Sequence, residues 1–407
     1  MTPPDLQAKA DHSAIGSTAG TREPIALALL RLARPKHWAK SGFVAIGPFF
    51  GGAFSVLEIV AVGLAMAAFA LGSSGCYVIN DLRDAQADRL HPRKRRRPIA
   101  SGRIAPGTAK AFAVSLWVSS IASAASVALV LGPAHALGLG LLLMLYIANV
   151  TAYSMGLKHL PVLDVMGLAL GFVLRVLGGC AAVGVMPSTW LLNVTLFLAM
   201  FLAFGKRLGE RRTLGDDATA ARAVQGIYTD ELLRMLVVVT AVALLLTYAG
   251  YVQGNESRFF WVAGGRSLGI GDTPQVGMNL LWITMLPATF AVLRCIVLLE
   301  RGAYDDPTEL ATRDRGFLVS AGLFAVLTIV LVLWAGPAHG PKPEPRGNNS
   351  GANTTDVTAS VPLADLDRAE QTGQVLVVIG MTTDLECACA RSKTGRCGAS
   401  HRITHHG

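Results

Sequence analysis

The sequence predicts an all-α fold, a polytopic membrane helical bundle. The chain has 407 residues, of which 52% are hydrophobic and only 15% are charged, whereas a soluble domain carries about a quarter charged residues. Its mean hydropathy is +0.46. Long apolar runs recur along the chain, and about 20 apolar residues are enough to cross a bilayer as a helix. Because a single run satisfies its own backbone groups only as a helix, the bundle is all-α.

Nine apolar runs predict about nine transmembrane helices. The first lies near 40–53, and it is short and contains Pro48, so its boundaries are left open. The other eight lie near 57–80, 106–131, 135–154, 162–184, 188–205, 232–252, 277–299 and 316–336. A short apolar stretch at 25–30 runs into Arg31, which predicts an amphipathic entry helix on the membrane surface.

Composition divides the chain into three parts. Residues 1–24 are polar and are predicted to be a disordered segment, with no cleavable signal peptide. Residues 25–336 are the predicted transmembrane domain. Residues 337–407 are predicted to be a disordered tail, because a linker rich in Pro and Asn begins near Gly340. The tail contains Cys and His residues, but their irregular spacing is a poor match to structural zinc sites.

The net charge of +9 is unevenly distributed. Lys and Arg are concentrated in residues 1–40, 81–105, 206–234 and 300–315, and the short links between other spans carry none. Since positive loops stay in the cytoplasm, we expect the N-terminus and the basic loops to be cytoplasmic and the C-terminus to be extracytoplasmic. Basic charge next to apolar spans indicates lipid headgroups and phosphorylated substrates as partners, and no nucleic-acid-binding module is readable.

One stretch of polar residues, 80–88, follows the second apolar run. Asn80, Asp84 and Asp88 are four residues apart and therefore share one face of a helix. Carboxylates stacked in this way repel one another unless a cation lies among them, and hard oxygen ligands suit Mg²⁺ that carries a phosphorylated substrate. Asp81 is a further carboxylate nearby, and the basic run at 93–97 can bind the rest of a polyanion.

Other polar residues collect at the ends of the fourth and fifth spans. Tyr153 and Lys158 end the fourth span and Asp164 opens the fifth. A Tyr and a Lys at a membrane surface are often interface anchors only, so a structural reading stays open for both. Arg175 lies within the fifth span, where it needs a carboxylate or a phosphate as its partner.

The end of the sixth span and the start of the first supply further cations. Lys206 and Arg207 end the sixth span, and Lys206 shares a helix face with Glu210, with which it could simply form an ion pair. Lys40, at the start of the first span, could face a pocket. The pair Gly178-Gly179 predicts close packing of neighbouring helices.

These motifs resemble the UbiA-type prenyltransferase superfamily. The resemblance is carried by Asn80-Asp81-x-x-Asp84-x-x-x-Asp88 followed by His91-Pro92-x-Lys94-x-x-Arg97-Pro98. Within the superfamily the chain is most similar to the branch that transfers phosphoribose to a polyprenyl phosphate, through Arg34-Pro35-x-x-Trp38-x-Lys40, residues 153–158, Asp164 with Arg175, and Gly205-Lys206-Arg207-x-x-Glu210. The resemblance covers about 25–336.

The resemblance implies an Mg²⁺-dependent pentosyltransferase in a bacterial plasma membrane. Its donor would be phosphoribosyl pyrophosphate, its acceptor a polyprenyl (decaprenyl) phosphate, and its product would supply lipid-linked arabinose for cell-wall arabinan. The implied metal ligands are Asn80, Asp84 and Asp88, with Asp81, Lys158 and Asp164 as further catalytic groups. The implied phosphate-binding residues are Lys40, Lys94, Arg97, Tyr153 and Lys158, together with Arg175, Lys206 and Arg207 for the acceptor phosphate.

Two alternatives stay open at this point, and the second belongs to another function class. The first is a prenyltransferase of the same superfamily that acts on an aromatic or quinone precursor. Such enzymes carry a second Asp-x-x-x-Asp motif, which residues 206–234 lack, and the basic residues there suit a phosphorylated acceptor instead. The second is a non-enzymatic lipid carrier or transporter, and the clustering of charge at one membrane face favours an enzyme over it. The sequence gives no indication of the oligomeric state.

Overall fold

The protein is a bundle of α-helices in a computed structural model that describes residues 24–90, 94–214, 227–262, 277–302 and 314–335. The segment that ends at residue 23 and the predicted tail 337–407 lie outside these ranges. The described α-helices are α1 (Ile25–Ala33), α2 (Phe43–Gly51), α3 (Val56–Arg83), α4 (Ala85–Leu90), α5 (Pro106–Leu131), α6 (Pro133–Met155), α7 (Leu163–Val183), α8 (Thr189–Leu214), α9 (Asp230–Gly254), α10 (Glu256–Phe259), α11 (Met285–Glu300) and α12 (Arg315–Ala335).

Shorter elements connect these helices. Four 3₁₀ helices are described, at Pro35–Gly42, Lys94–Arg96, Leu157–His159 and Leu280–Thr284. Two short strands, β1 (Phe260–Val262) and β2 (Gly277–Asn279), pair antiparallel. Two of the α-helices begin with a side-chain cap: the Ser55 hydroxyl accepts a hydrogen bond from the Glu58 N–H, and Thr229 caps α9 in the same way.

Eight helices of the described residues are long and apolar enough to cross a membrane, which confirms a polytopic membrane fold. They match the eight later predicted spans. The first predicted span, near 40–53, is not one continuous helix, because the chain there divides between the 3₁₀ helix Pro35–Gly42 and the nine-residue α2. Four basic residues precede Ser41 and the apolar run behind them is short, so one long apolar helix cannot form at this place.

Helix α8 extends beyond its predicted end at residue 205. It continues to Leu214 through Lys206, Arg207 and Glu210. The charged turn stays helical because its side chains form ion pairs with neighbouring helices, described below. A hydropathy pattern marks the end of a span at the first charged residue, whereas the described helix continues through the ion-paired turn.

Sequential helices pack as neighbours and bury four apolar clusters. Helix α3 lies against α5, α6 against α7, and α8 against α9, while α7 also contacts α2, α3 and α8. One cluster joins α3, α6 and α7 around Phe69, Leu139 and Tyr146. A second joins α8, α9 and α11 around Phe204 and Leu233. Helix α7 therefore lies between the two halves of the bundle.

Small residues allow α2 and α7 to approach closely, as Gly178-Gly179 predicted. A Cβ atom added at Gly179 would overlap the carbonyl oxygen of Val44, and one added at Gly47 would overlap the Sγ atom of Cys180. The backbone carbonyl of Val44 cannot move aside to relieve such an overlap, as the end of a flexible side chain could. The close approach of α2 to α7 therefore depends on these two glycines.

Replacing Gly179 with alanine is expected to destabilise the protein by about 1–3 kcal/mol, because overpacking forces α2 away from α7. The measurement is the midpoint temperature of thermal unfolding in detergent. Gly63→Ala is the matched control, since nothing lies within 4 Å of a Cβ atom at Gly63 on α3. An alanine there should leave the midpoint unchanged or raise it. Equal effects of the two substitutions would contradict the packing argument.

Candidate active site

A cavity of about 410 Å³ opens between α3, α6 and α7 at the end of the bundle that carries the basic residues. This volume lies in the range of small-molecule sites. Along α6 the lining runs from Tyr146 to Ser154, which is a depth of about 12 Å. Its polar lining residues are Arg34, Lys40, Tyr77, Asn80, Asp84, Lys94, Arg97, Tyr146, Asn149, Tyr153, Ser154, Lys158, His159 and Arg175.

Asn80 and Asp84 line the cavity where α3 ends. The amide nitrogen of Asn80 donates a hydrogen bond to a carboxylate oxygen of Asp84 over 3.0 Å. The backbone keeps its helical repeat across this point, since the N–H of Asp84 bonds to the carbonyl of Asn80 and the N–H of Asp88 to the carbonyl of Asp84. The shared face expected for the three residues is therefore present in the backbone.

Asp88 is used differently from the sequence expectation. Its carboxylate is buried and accepts a hydrogen bond from Arg97 Nη1 over 2.7 Å, and Asp88 is absent from the cavity lining. Of the expected three-residue cluster, Asn80 and Asp84 line the cavity and Asp88 pairs with Arg97 behind its wall, and the metal role of the three residues stays a prediction.

Asp81 also lies behind the cavity wall and orients arginines. It is buried, and one of its carboxylate oxygens accepts from Arg34 Nη2 over 2.5 Å and from Arg97 Nη1 over 3.0 Å. Arg34 follows α1 in the left-handed region, with φ 55°, a conformation that costs free energy for a residue with a Cβ atom. This turn places its guanidinium between Asp81 and the ring of Tyr77. The two carboxylates therefore position Arg34 and Arg97 at the cavity.

Arg175 lies at the deep end of the cavity on α7 and is only 4% exposed. Its guanidinium donates to the carbonyl of Gly171 over 3.0 Å and to the hydroxyl of Tyr146 over 2.6 Å, and it lies over the Tyr146 ring. Its buried Nε atom has no hydrogen-bond partner, and no carboxylate of the described residues pairs with it. A buried charge of this kind requires an anion, and the cavity is where an anion can reach it.

Asp164 and Arg207 lie outside the cavity lining, in a buried network. Arg207 Nε donates to one carboxylate oxygen of Asp164 over 3.1 Å, and the Tyr228 hydroxyl donates to the other over 2.8 Å. Arg207 also contacts Glu210, which the sequence had paired with Lys206. The guanidinium of Arg207 is turned to carboxylates and the residue is 2% exposed, and its contact with a substrate phosphate stays a prediction.

Lys206 lies close to the mouth of the cavity. Burial lowers the pKa of His37, and three positive charges nearby lower it further, those of Lys40, Arg34 and Lys206. The ring of His37 in turn lies 5.3 Å from that of Tyr77, which lines the cavity. Lys206 therefore adds to the positive field at this side of the site.

The remaining basic residues at the end of α8 connect helices. Arg211 pairs with Asp230 at the start of α9, and Arg212 contacts the carbonyl of Leu299 and the carboxylate of Glu300 on α11. The basic character of this loop predicts a phosphorylated acceptor. For these two arginines the structure shows ion pairs that tie α8 to its neighbours.

Tyr77, Tyr146 and Asn149 line the cavity and are not singled out by the sequence, whereas Tyr153 beside them is. Tyr146, Asn149 and Tyr153 follow one another on one face of α6, and Asn149 donates to the carbonyl of Gly167 over 2.8 Å, which fixes α6 against α7. Polar residues spaced by three and four within an apolar span were the available signal. Tyr77, one turn before Asn80 on α3, gave the same signal.

The charge balance of the cavity determines what it can bind. Six cationic side chains line it, with Asp84 as the one lining carboxylate of the described residues; they are Arg34, Lys40, Lys94, Arg97, Lys158 and Arg175. Asp81 and Asp88 behind the wall offset only part of this charge. Such a site suits a ligand with several phosphate groups, and its wet, basic mouth lies beside the apolar surface of the bundle.

Known proteins are similar to the chain in sequence. The family model described as "UbiA prenyltransferase family" matches residues 42–271. A decaprenyl-phosphate phosphoribosyltransferase of Corynebacterium glutamicum is 33% identical over 316 residues, which is 76% of this chain and 87% of the relative. The protein of the same name from Mycolicibacterium smegmatis is 31% identical over 324 residues, 78% of this chain and 93% of the relative.

Solved structures share the architecture. A UbiA homolog from Archaeoglobus fulgidus, bound to DMAPP and Mg²⁺, superposes with a TM-score of 0.54 at 19% identity and covers 75% of this chain and 99% of that one. The same homolog bound to GPP and Mg²⁺ gives a TM-score of 0.52 at 18% identity, over 76% of this chain and 99% of that one. At these identities the likeness establishes the fold.

Proposed function

The chain belongs to the UbiA prenyltransferase family, and from this premise we propose that it transfers 5-phosphoribose from phosphoribosyl pyrophosphate to a polyprenyl phosphate. The C1–O bond of the donor breaks, an oxygen of the lipid phosphate forms the new bond to C1, and pyrophosphate leaves. The observation that carries this proposal is the cavity lined by six cations, with a buried Arg175 that has no carboxylate partner in the described chain. The relatives that share about a third of the sequence bear the name of this activity.

Asn80 and Asp84 would hold Mg²⁺ in this reaction. Their hard oxygen atoms at the cavity surface fit this ion, which is bound through one or two carboxylates while substrate phosphates and water supply the other ligands. When bound, Mg²⁺ offsets the negative charge that develops on the leaving pyrophosphate. The known structures of A. fulgidus UbiA with Mg²⁺ support divalent metal use within the fold.

The basic residues that line the cavity lie at different depths, and we assign them to different phosphate groups of the donor accordingly. Lys40, Lys94 and Arg97 lie near Asn80 and Asp84 and would bind the pyrophosphate, with Asp81 and Asp88 orienting Arg97. Arg175 lies about 18 Å along α7 from Leu163. Because a small, water-soluble donor can enter this depth and a lipid phosphate stays at the surface, we assign Arg175 to the 5-phosphate of the donor. This replaces the acceptor role expected from the sequence.

Lys158 and His159 lie at the mouth and would bind the acceptor phosphate. They belong to the 3₁₀ helix Leu157–His159, next to exposed apolar residues such as Met155 and Leu160 that suit contact with lipid. The acceptor phosphate is already anionic, so no strong general base is needed. Positive charge that develops on the ribose ring would be stabilised by the neighbouring carboxylate of Asp84.

The orientation in the membrane follows from the same placement. We propose that the N-terminus and the cavity face the cytoplasm of a bacterium, where the donor is dissolved, and that the C-terminus is extracytoplasmic. The apolar helix α2, preceded by the basic segment Pro35–Gly42 at the mouth of the cavity, would belong to the ninth crossing.

The activity is tested with the purified full-length protein in lipid nanodiscs. With radiolabelled phosphoribosyl pyrophosphate, decaprenyl phosphate and Mg²⁺, we expect label in the lipid fraction, and we expect none when the acceptor or the metal is left out. A parallel reaction contains geranyl diphosphate and 4-hydroxybenzoate. Prenylation of the aromatic acid, with no label transferred to polyprenyl phosphate, would refute the proposed function in favour of an aromatic prenyltransferase.

A further inference from the structure

A strained turn lies directly behind the residues assigned to the acceptor phosphate. Val162 has φ 67° and ψ −48°, and the carbonyl of Pro161 accepts a hydrogen bond from the N–H of Leu163 over 2.7 Å. This is a γ-turn with positive φ, a rare and strained conformation that a β-branched residue adopts only when its surroundings impose it. The turn joins the 3₁₀ helix that carries Lys158 and His159 to the start of α7.

One side chain from the other half of the bundle holds this turn. The N–H of Val162 donates a hydrogen bond to the hydroxyl of Tyr228 over 2.7 Å, and that hydroxyl donates to Asp164 over 2.8 Å. Tyr228 is 1% exposed and precedes α9, and Arg207 of α8 completes the network at Asp164. The backbone amide of the strained residue is thus connected to three separate elements.

The chemistry of Tyr228 suits a permanent contact. Burial raises its pKa to about 12, with a further rise from Asp164 and an opposing contribution from the Val162 N–H. The hydroxyl therefore keeps its proton throughout the physiological pH range and can accept from Val162 while it donates to Asp164. A buried ion pair such as Asp164–Arg207 adds little net stability compared with apolar residues of the same size. Its main contribution is therefore to fix the position of Tyr228 and, through it, the geometry of the turn.

We propose that Tyr228 is a positioning residue that fixes the Val162 turn and thereby holds Lys158 and His159 at the mouth of the cavity. The inference rests on the proposed function, because that function assigns Lys158 to the acceptor phosphate. It explains why Asp164 and Arg207 lie outside the cavity: they act through Tyr228 and the turn.

The test begins with Tyr228→Phe, which keeps the ring against Phe204 and removes only the hydroxyl. We expect kcat/KM for polyprenyl phosphate to fall about tenfold, because the change leaves a buried donor and a buried acceptor without partners. The KM for phosphoribosyl pyrophosphate should stay within about twofold. Tyr248→Phe is the matched control, since the Tyr248 hydroxyl bonds to Thr284 in another buried cluster. It should lower the thermal midpoint without changing kcat/KM.

The variant Lys158→Ala/His159→Ala separates positioning from a general structural effect. If Tyr228 acts through Lys158 and His159, adding Tyr228→Phe to the variant Lys158→Ala/His159→Ala should cause little further loss of activity. Losses that multiply in this combined variant would overturn the inference.

Hydrogen–deuterium exchange gives a second readout that does not depend on the reaction. The peptide that covers residues 157–163 should exchange faster in Tyr228→Phe than in the wild type, and Tyr248→Phe should leave it unchanged. Unchanged exchange in Tyr228→Phe would refute the inference even in an active enzyme. Faster exchange in a protein that does not transfer phosphoribose would uphold the positioning role and refute the proposed function instead.

Discussion

Replacing Asp84 with asparagine should reduce phosphoribosyl transfer by at least about a hundredfold, which corresponds to about 2.7 kcal/mol of activation free energy. Asp84 is the one carboxylate among the described cavity residues, and it lies beside Asn80 where the pyrophosphate is proposed to bind. The loss arises because the variant weakens the Mg²⁺ site and with it the stabilisation of the leaving group, which is worth several kcal/mol. The measurement is the initial rate in nanodiscs as a function of Mg²⁺ concentration.

Substitutions of two other carboxylates test whether the effect is specific to Asp84. Glu58→Gln, at the opposite end of α3, is the control and should keep normal activity. Asp88→Asn should also lose most activity, but through Arg97, so that its defect lies in the KM for the donor and excess Mg²⁺ does not restore it. An Asp84→Asn variant with normal turnover at limiting Mg²⁺ would show that the metal assignment is wrong.

Replacing Arg175 with methionine should raise the KM for phosphoribosyl pyrophosphate by about ten- to a hundredfold. Charged hydrogen bonds are worth about 1.5–3 kcal/mol, which sets this range. The KM for polyprenyl phosphate should change little. Steady-state kinetics with each substrate varied in turn give both constants. A rise confined to the KM for polyprenyl phosphate would show that Arg175 binds the acceptor phosphate, as the sequence suggests.

Thermal stability distinguishes ligand binding from a structural role of Arg175. Its buried guanidinium has no carboxylate partner among the described residues, so an apolar side chain of similar length should leave the unliganded protein equally stable or more stable. The wild type should gain several degrees in midpoint temperature with saturating donor, and Arg175→Met should lose this gain. Arg175→Lys, which keeps the charge, should retain part of it. A large loss of stability without ligand would indicate a structural arginine.

The helices were predictable where apolar length alone decides the structure. Helix α5 occupies the predicted residues, and α7 differs from its prediction by one residue at each end. The structure differs from the prediction near 40–53, where the chain divides between a 3₁₀ helix and a short α-helix, and at the end of α8, where ion pairs extend the helix. These outcomes depend on neighbouring helices, and a hydropathy pattern holds no information about them.

The site was predictable in its residue types and less so in its pairings. The helical repeat put Asn80 and Asp84 on one face, and both line the cavity. The same repeat could not predict that Arg97 forms an ion pair with Asp88, or that Arg207 forms one with Asp164. Each pair joins residues from different elements. Sequence spacing determines which residues share a helix face, whereas the packing of the helices determines which charged side chains form ion pairs.

The excess of cations around Asp84 has a consequence for the order in which reactants enter. Six positive side chains repel a free divalent ion, and a single carboxylate with one amide is too weak a ligand set to overcome that repulsion. The donor anion must therefore neutralise the site before or while the metal enters. Magnesium should arrive already bound to its pyrophosphate, so the species that saturates the enzyme is the metal–donor complex, and metal affinity measured without donor should be poor.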